Sequence, residues 1–300
     1  MKKVYFLLAM IPHIIIFAGS YAAGRSSKPD PKKVKAAAVK DTLINPTSGG
    51  YKLVWADEFN KNGPVDTNTW RYERGFVRNK EFQWYQPENV TCKNGYLIIE
   101  AKKTHYPNPL YSKADTTWKK SREFVEYTSG AIETAGKKTW KYGRFVMRAR
   151  ISTGMGLWPA FWTLGEKGPW PSKGEIDIME FYKNNLLANI ALGTEKPGKA
   201  LWYSTRKPIS TFGKDWSGKF HVWRMDWDEN GISLYVDDML LNQVKKDSLN
   251  NRNELGIKPY QQPHYILLNL AIGGQSGGDP SQTAFPNKFE VDYVRIYQKE

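Results

Sequence analysis

From Tyr51 onward the chain is written in short runs that suit a strand better than a helix, and this pattern constrains the fold more than any other feature. In "RFVMRARI", Phe145 and Met147 alternate with Arg144 and Arg148, so one face is apolar and the other wet. Comparable runs are "YKLVWADEF", "GYLIIEAKK", "GAIETAG", "FHVWRMDW", "ISLYVDD", "HYILLNLAIGG" and "FEVDYVRIYQ", with Gly, Pro, Asn and Asp clustered between them. No amphipathic helix longer than two turns interrupts them, and no internal repeat is visible. The expected fold is all-β: a two-sheet antiparallel β-sandwich of jelly-roll type, forming one domain over residues 51–300. Three hundred residues with 12 Trp and 17 Tyr are enough for one substantial core.

The N-terminus reads differently. "KKVYFLLAMIPHIIIFAGSYAA" joins two lysines, an apolar run and small residues, the layout of a secretory signal peptide over residues 1–23. The apolar run falls short of the ~20 residues that span a bilayer. Residues 24–50, rich in Pro, Lys and small side chains, read as a flexible leader with little to bury. Cys92 is the only cysteine, which excludes an intrachain disulfide, a cysteine metal cluster and a lipid-attachment cysteine near the cleavage site. The expected location is secreted or periplasmic, with no transmembrane segment once the signal is removed, and the expected state is a monomer.

One stretch, "KGEIDIMEF" (173–181), resists simple alternation. Glu175 and Asp177 share a face, whereas Glu180 belongs with the opposite, hydrophobic one. A β-bulge between Asp177 and Glu180 resets the parity and brings all three acids to one face. The plainer alternative is a strand end with Glu180 escaping at the rim. Crowding three acids is costly without a purpose, which favours the bulge. Inward-leaning side chains would then bring the two glutamates to about 5–5.5 Å, the spacing at which one carboxylate attacks an anomeric carbon while the other protonates the leaving oxygen. Asp177 would hydrogen-bond the nucleophile and help set the protonation of the pair.

Tryptophans precede the acids in "GLWPAFWTLG" and "GPWPSKGE". Indole faces stack on the C–H faces of pyranose rings, so Trp158 and Trp170 are expected in a cleft and Trp162 in the core. "RNKEFQWY" offers Asn79, Glu81, Gln83 and Trp84 to rim a groove, with Asn79, Gln83 and Trp84 taken as substrate-binding. Other signals point away from chemistry. "DWDENGISLYVD" fits most of a calcium loop, but its flanks alternate as strands, so a hairpin is expected. "GQSGG" matches a nucleophile elbow without the helix that must follow it. His105, His221 and His264 stand in no triad or metal spacing.

The acid motif, with "LWPAFW" upstream, resembles the signature of glycoside hydrolase family 16, in its laminarinase/β-glucanase-like branch with a bulged E-x-D-x-x-E strand. The resemblance runs through "RNKEFQWY", "YGRFVMRARI", "LNLAIGG" and "VDYVRIYQ" and covers nearly all of residues 51–299. It implies a jelly roll with a concave substrate cleft and hydrolysis with retention, Glu175 being the nucleophile, Asp177 its helper and Glu180 the acid/base. It implies no cofactor for catalysis, and a structural calcium at Glu58, Gly95 (by its carbonyl) and Asp292. Many β-glucanases of the family carry a histidine on the strand after the acids, whereas here "LLANIALGTEKPGKALWYST" has none.

The expected function is therefore a secreted endo-acting retaining hydrolase of a β-linked polysaccharide, with β-1,3- or mixed-linkage glucan favoured. The alternative is an endo-β-galactosidase on galactose-containing glycans, such as mucin O-glycans, keratan or agar-type galactans. A non-catalytic carbohydrate-binding protein would keep the tryptophans but has no need of all three acids. The net charge of +14 suits anionic glycans, nucleic acid or a cell surface without choosing among them. No nucleic-acid partner is expected, because acids rather than basic residues are interleaved with the aromatics.

Overall fold

The computed structural model describes residues 46–299. The signal expected at 1–23 and residues 24–45 of the leader lie outside the described residues. Residues 46–50 form turns, and the Arg144 guanidinium donates to the carbonyls of Pro46 at 3.0 Å and Ser48 at 3.5 Å, tying that end of the leader to the sandwich.

Seventeen strands fill the described chain, arranged as the alternating runs require. The larger sheet holds β1 (Tyr51–Asp57), β3 (Gln83–Tyr85), β4 (Val90–Lys93), β5 (Tyr96–Pro107), β6 (Phe124–Ser129), β8 (Gly143–Ile151), β13 (His221–Asp228), β14 (Gly231–Val236), β15 (Met239–Lys245) and β17 (Asn287–Lys299). Its order is β15-β14-β13-β8-β17-β5-β6-β3, with β1 beside β17 and β4 beside β5. The smaller sheet is built from β2 (Arg71–Tyr72), β7 (Ala131–Glu133), β9 (Leu157–Gly165), β10 (Glu175–Tyr182), β11 (Asn185–Gly193), β12 (Ala200–Pro208) and β16 (His264–Ile272), in the order β12-β11-β10-β9-β16-β7-β2. Pairing is antiparallel apart from β3 with β6.

The two sheets enclose one apolar layer. Phe145, Met147, Ala149 and Ile151 of β8 and Trp223, Met225 and Trp227 of β13 meet Ile176, Ile178, Met179 and Phe181 of β10 and Leu186, Ala188, Ile190 and Leu192 of β11. Burying each large side chain contributes roughly 1.5–3 kcal/mol, so the layer fixes which side of each strand faces inward. A one-residue slip of β10 would drive its carboxylates into this layer.

The turn signals behave as the sequence suggests. "DENG" closes the β13–β14 hairpin, with the Asn230 amide donating to Asp228 Oδ1 at 2.8 Å. "GQSG" makes one helical turn, Gly274–Gly277, and no helix follows it. Among the described residues no helix is long and apolar enough to cross a membrane.

Candidate active site

The acid strand carries the bulge. On β10, Asp177 pairs with Asn189 of β11 and Glu180 pairs with Leu187, so Ile178 and Met179 together oppose Ala188. Both extra-strand partners shift at the same place, since the register with β9 also slips between Asp177 and Met179. Ile178 and Met179 are both fully buried in the sandwich core. Two successive core residues reverse the alternation, and Glu175, Asp177 and Glu180 emerge together on the outer face.

These acids line a cleft of about 700 Å³ across the smaller sheet. Its floor includes Trp158, Ala160, Trp162 and Leu164 from alternate positions of β9. Glu175 Oε2 accepts the indole N–H of Trp170 at 2.5 Å. Glu180 accepts Trp158 Nε1–H at 2.7 Å on one oxygen and Asn189 Nδ2–H at 2.7 Å on the other. Asp177 sits between, within hydrogen-bonding reach of both glutamates.

Burial raises the proton affinity of all three acids. The Glu175 carboxyl is pushed up to about 7, chiefly by desolvation and further by the neighbouring Glu180 charge, with Trp170 opposing. Asp177 is raised well above the usual aspartate range by desolvation and by the charges of Glu180 and Glu175. Glu180 is raised by desolvation, opposed by its bonds to Trp158, Asp177 and Asn189. The three carboxyls titrate together, and a proton on Asp177 makes its O–H the donor that favours an ionised glutamate beside it.

The other expected site residues divide. Trp158, Trp170 and Asn79 line the cleft, Trp170 with 43% of its surface exposed. Gln83 and Trp84 do not line it. Gln83 is buried, donating to Glu81 Oε2 at 2.7 Å and accepting the Ile272 amide at 2.7 Å, while Trp84 packs edge-on against Phe76. A polar residue on a rim strand can thus point inward to tie two segments, a use that alternation alone does not separate from sugar binding. Trp162, expected in the core, lies on the cleft side: it donates to Asn269 Oδ1 at 2.7 Å, and Arg78 stacks over its ring at 5.1 Å.

Two of the three residues expected to hold calcium are engaged by guanidinium groups. Both oxygens of Glu58 accept from the Arg295 guanidinium, at 2.7 and 3.0 Å. Asp292 Oδ2 accepts from Arg148 at 2.8 Å. Gly95 turns the β4–β5 hairpin with φ +81°. Both Glu58 oxygens and Asp292 Oδ2 are thus taken by guanidinium groups, and no group of three or more His, Cys, Asp or Glu suited to a metal occurs among the described residues.

Sequence reading missed much of the wall. Trp202, Ser204 and Arg206 of β12 line the cleft, as do Arg78, Lys173 and Tyr182. The alternation in "LWYSTRK" would have put the three β12 residues on one face, although it does not say which sheet that face belongs to. Glu81, named with the rim but given no role, lines the cleft too and is held by Gln83 and Asn79. The rim is fixed by Arg122, which donates to the carbonyls of Glu81 at 2.6 Å and Lys80 at 2.8 Å and lies over the rings of Phe76, Trp118 and Phe82. Behind it sits Gly274 (φ +70°), where a Cβ would stand 2.7 Å from the Asn79 carbonyl oxygen. His105, His221 and His264 lie outside the cleft lining; His264 is buried between Thr163 and the Pro259 carbonyl, and desolvation lowers it to about 4.

Residues 78–295, which hold the acid strand, the cleft floor and its β12 wall, match the family of glycosyl hydrolases 16. The chain belongs to glycoside hydrolase family 16. It is a glycosidase, hydrolysing O-glycosyl bonds. A beta-glucanase of Rhodothermus marinus is 35% identical over 83% of this chain and 85% of its own length. A keratan-sulfate endo-1,4-beta-galactosidase of Sphingobacterium multivorum is 28% identical over 99% of this chain and 67% of its own length. Among solved structures, one from work on endo-acting O-glycanases of the human gut microbiota that initiate mucin breakdown superposes with a TM-score of 0.76, at 33% identity, covering 84% of this chain and 92% of that one. The laminarinase catalytic domain of Thermotoga maritima gives a TM-score of 0.69 at 32% identity, covering 83% of this chain and 99% of that one.

Proposed function

We propose that this glycosidase is exported and cleaves internal β-glycosidic bonds of a polysaccharide by double displacement, with retention at the anomeric carbon. The observation that carries the reading is the bulge that places Glu175, Asp177 and Glu180 on one cleft face, each glutamate hydrogen-bonded by an indole N–H and sharing Asp177. In the first step the Glu175 carboxylate attacks the anomeric carbon and the carboxyl of Glu180 gives its proton to the departing glycosidic oxygen. Asp177 keeps its proton and donates a hydrogen bond to the nucleophile, which limits the charge gathered in the cleft. In the second step Glu180, now ionised, takes a proton from water as that water attacks the glycosyl ester, and Glu175 leaves. Export rests on the signal-like residues 1–23.

For the substrate, β-1,3- or mixed-linkage glucan is supported by the 35% identity to a beta-glucanase and by the laminarinase superposition. A second reading, an endo-β-galactosidase on galactose-containing glycans, is favoured by β11, where the polar cleft residue opposite Asp177 is Asn189 rather than a histidine. The keratan-sulfate and O-glycanase relatives support the same reading. Proton NMR of the first products released from laminarin, mixed-linkage glucan, agarose, keratan and mucin O-glycans tests both points. The expected result is a β-anomer that mutarotates later, from one backbone class; an initial α-anomer would refute double displacement.

A further inference from the structure

We propose that the β12 wall of the cleft holds a subsite for an anionic substituent on the bound glycan, a sulfate ester or a carboxylate, and that Arg206 reads it. The inference rests on the endo-glycosidase reading of this cleft and holds for either backbone sugar. β12 is the edge strand of the smaller sheet, and its alternation turns Trp202, Ser204 and Arg206 toward the cleft. Register carries each across β11 to the acid strand: Trp202 through Ala191 to Glu175, Ser204 through Asn189 to Asp177, and Arg206 through Leu187 to Glu180. Two strand spacings put Arg206 about 10 Å from the Glu180 position. A group held there belongs to a sugar beyond the bond being cut, so its effect is read as the ratio of anionic to neutral substrate.

The cations lining the cleft differ in how they are used. Arg78 forms an ion pair with Glu73, and Lys173 donates to the Tyr265 hydroxyl at 3.1 Å while lying over its ring. Arg206 is exposed and makes no ion pair among the described residues, its guanidinium donating to the Tyr182 hydroxyl and bearing on the Glu180 charge. Lys183, exposed in the β10–β11 turn, also makes none, and the same end of β12 is tied to that turn by the Ile209 amide donating to the Asn184 carbonyl at 2.8 Å. The cleft end nearest Glu180 thus carries two cations, and the Arg206 charge favours the ionised form of Glu180. A hydroxyl is read adequately by Asn, Ser or Gln, whereas a guanidinium also answers a negative charge. Its planar fork matches the paired oxygens of a sulfate or carboxylate.

The test compares one oligosaccharide that the enzyme cleaves in three forms: neutral, O-sulfated and carboxylate-bearing. For the wild type, kcat/KM on an anionic form is expected to exceed that on the neutral form by about tenfold or more, the range of one charge-assisted pair. Arg206→Gln is expected to collapse that ratio, Arg206→Lys to recover part of it, and rising salt to shrink it in the wild type only. Whichever anionic form shows the larger ratio identifies the substituent. Calorimetric binding of the three forms to the Glu175→Gln protein repeats the comparison without turnover. Equal ratios in wild type and Arg206→Gln, or no anionic preference in the wild type, overturn the subsite. Retaining cleavage of the neutral form alongside such a result leaves the glycosidase reading standing, whereas inversion removes that reading itself.

Discussion

The two outer faces of the sandwich use carboxylates in opposite ways. On the larger sheet four partly or fully buried acids are each given a guanidinium: Glu58 to Arg295, Asp226 to Arg144 and Arg224, Glu290 to Arg150, and Asp292 to Arg148. Several of these arginines also lie over aromatic rings, Arg295 on Tyr293 at 3.7 Å and Arg224 on Tyr235 at 3.8 Å. On the smaller sheet Asp177 and Glu180 are buried and Glu175 half-buried, all without an ion pair and held by indole, amide and one another. Pairing fixes position, whereas burial without pairing raises the proton affinity of the cleft carboxyls. The same residue types are thus paired on one face and left as clustered carboxyls in a cleft on the other.

The largest expected effect is on the cleft side. Glu175→Gln should lower kcat on the order of 10³-fold or more while leaving oligosaccharide binding largely intact. Glu180→Ala should also lose turnover but recover with azide, giving a glycosyl azide of retained configuration. Azide rescue of the Glu175 variant instead would exchange the two roles. The Glu175 substitution should also alter stability with a definite sign. Below about pH 4.5 the wild-type carboxyl is protonated in both folded and unfolded chains. As pH rises toward its folded value of about 7 the unfolded chain ionises first, and stability is lost. Thermal melts should therefore show Glu175→Gln above the wild type at pH 8, with the gap closing by pH 4.

Next in size is a substitution on the opposite face. Arg148→Met leaves the Asp292 carboxylate without its guanidinium and should cost about 3 kcal/mol of stability. kcat should stay at the wild-type value, measured where the variant is fully folded; a kcat loss there would show that the two faces are not separable. The smallest effect belongs to the wall. Trp202→Ala removes an exposed ring and should raise KM by about fivefold, equivalent to roughly 1 kcal/mol. An unchanged KM on long and short chains alike would take β12 out of the binding surface.

Much of this contrast was legible in the chain, for reasons particular residues show. Alternation in "RFVMRARI" gave the core side of β8 because an apolar layer tolerates no other assignment. The spacing of Glu175, Asp177 and Glu180 announced a bulge, since three acids have no other way to share a face while Ile178 and Met179 go inward. Partner choice was not legible. Glu58 and Asp292 look like cation ligands until the fold brings Arg295 and Arg148 beside them across long sequence separations. Gln83 looks like a sugar-reading amide until its neighbours are seen to be Glu81 and the Ile272 backbone. Trp162 and the β12 wall were missed because alternation names a face without naming what lies over it.

Mass spectrometry of the enzyme trapped with a 2-deoxy-2-fluoro glycoside bears most directly on the central claim. Retaining chemistry at the unpaired acids should leave one sugar esterified to Glu175, on the peptide that contains "GEIDIMEF". A label on Glu180 or Asp177, or no covalent adduct while the substrate is turned over with inversion, would contradict it.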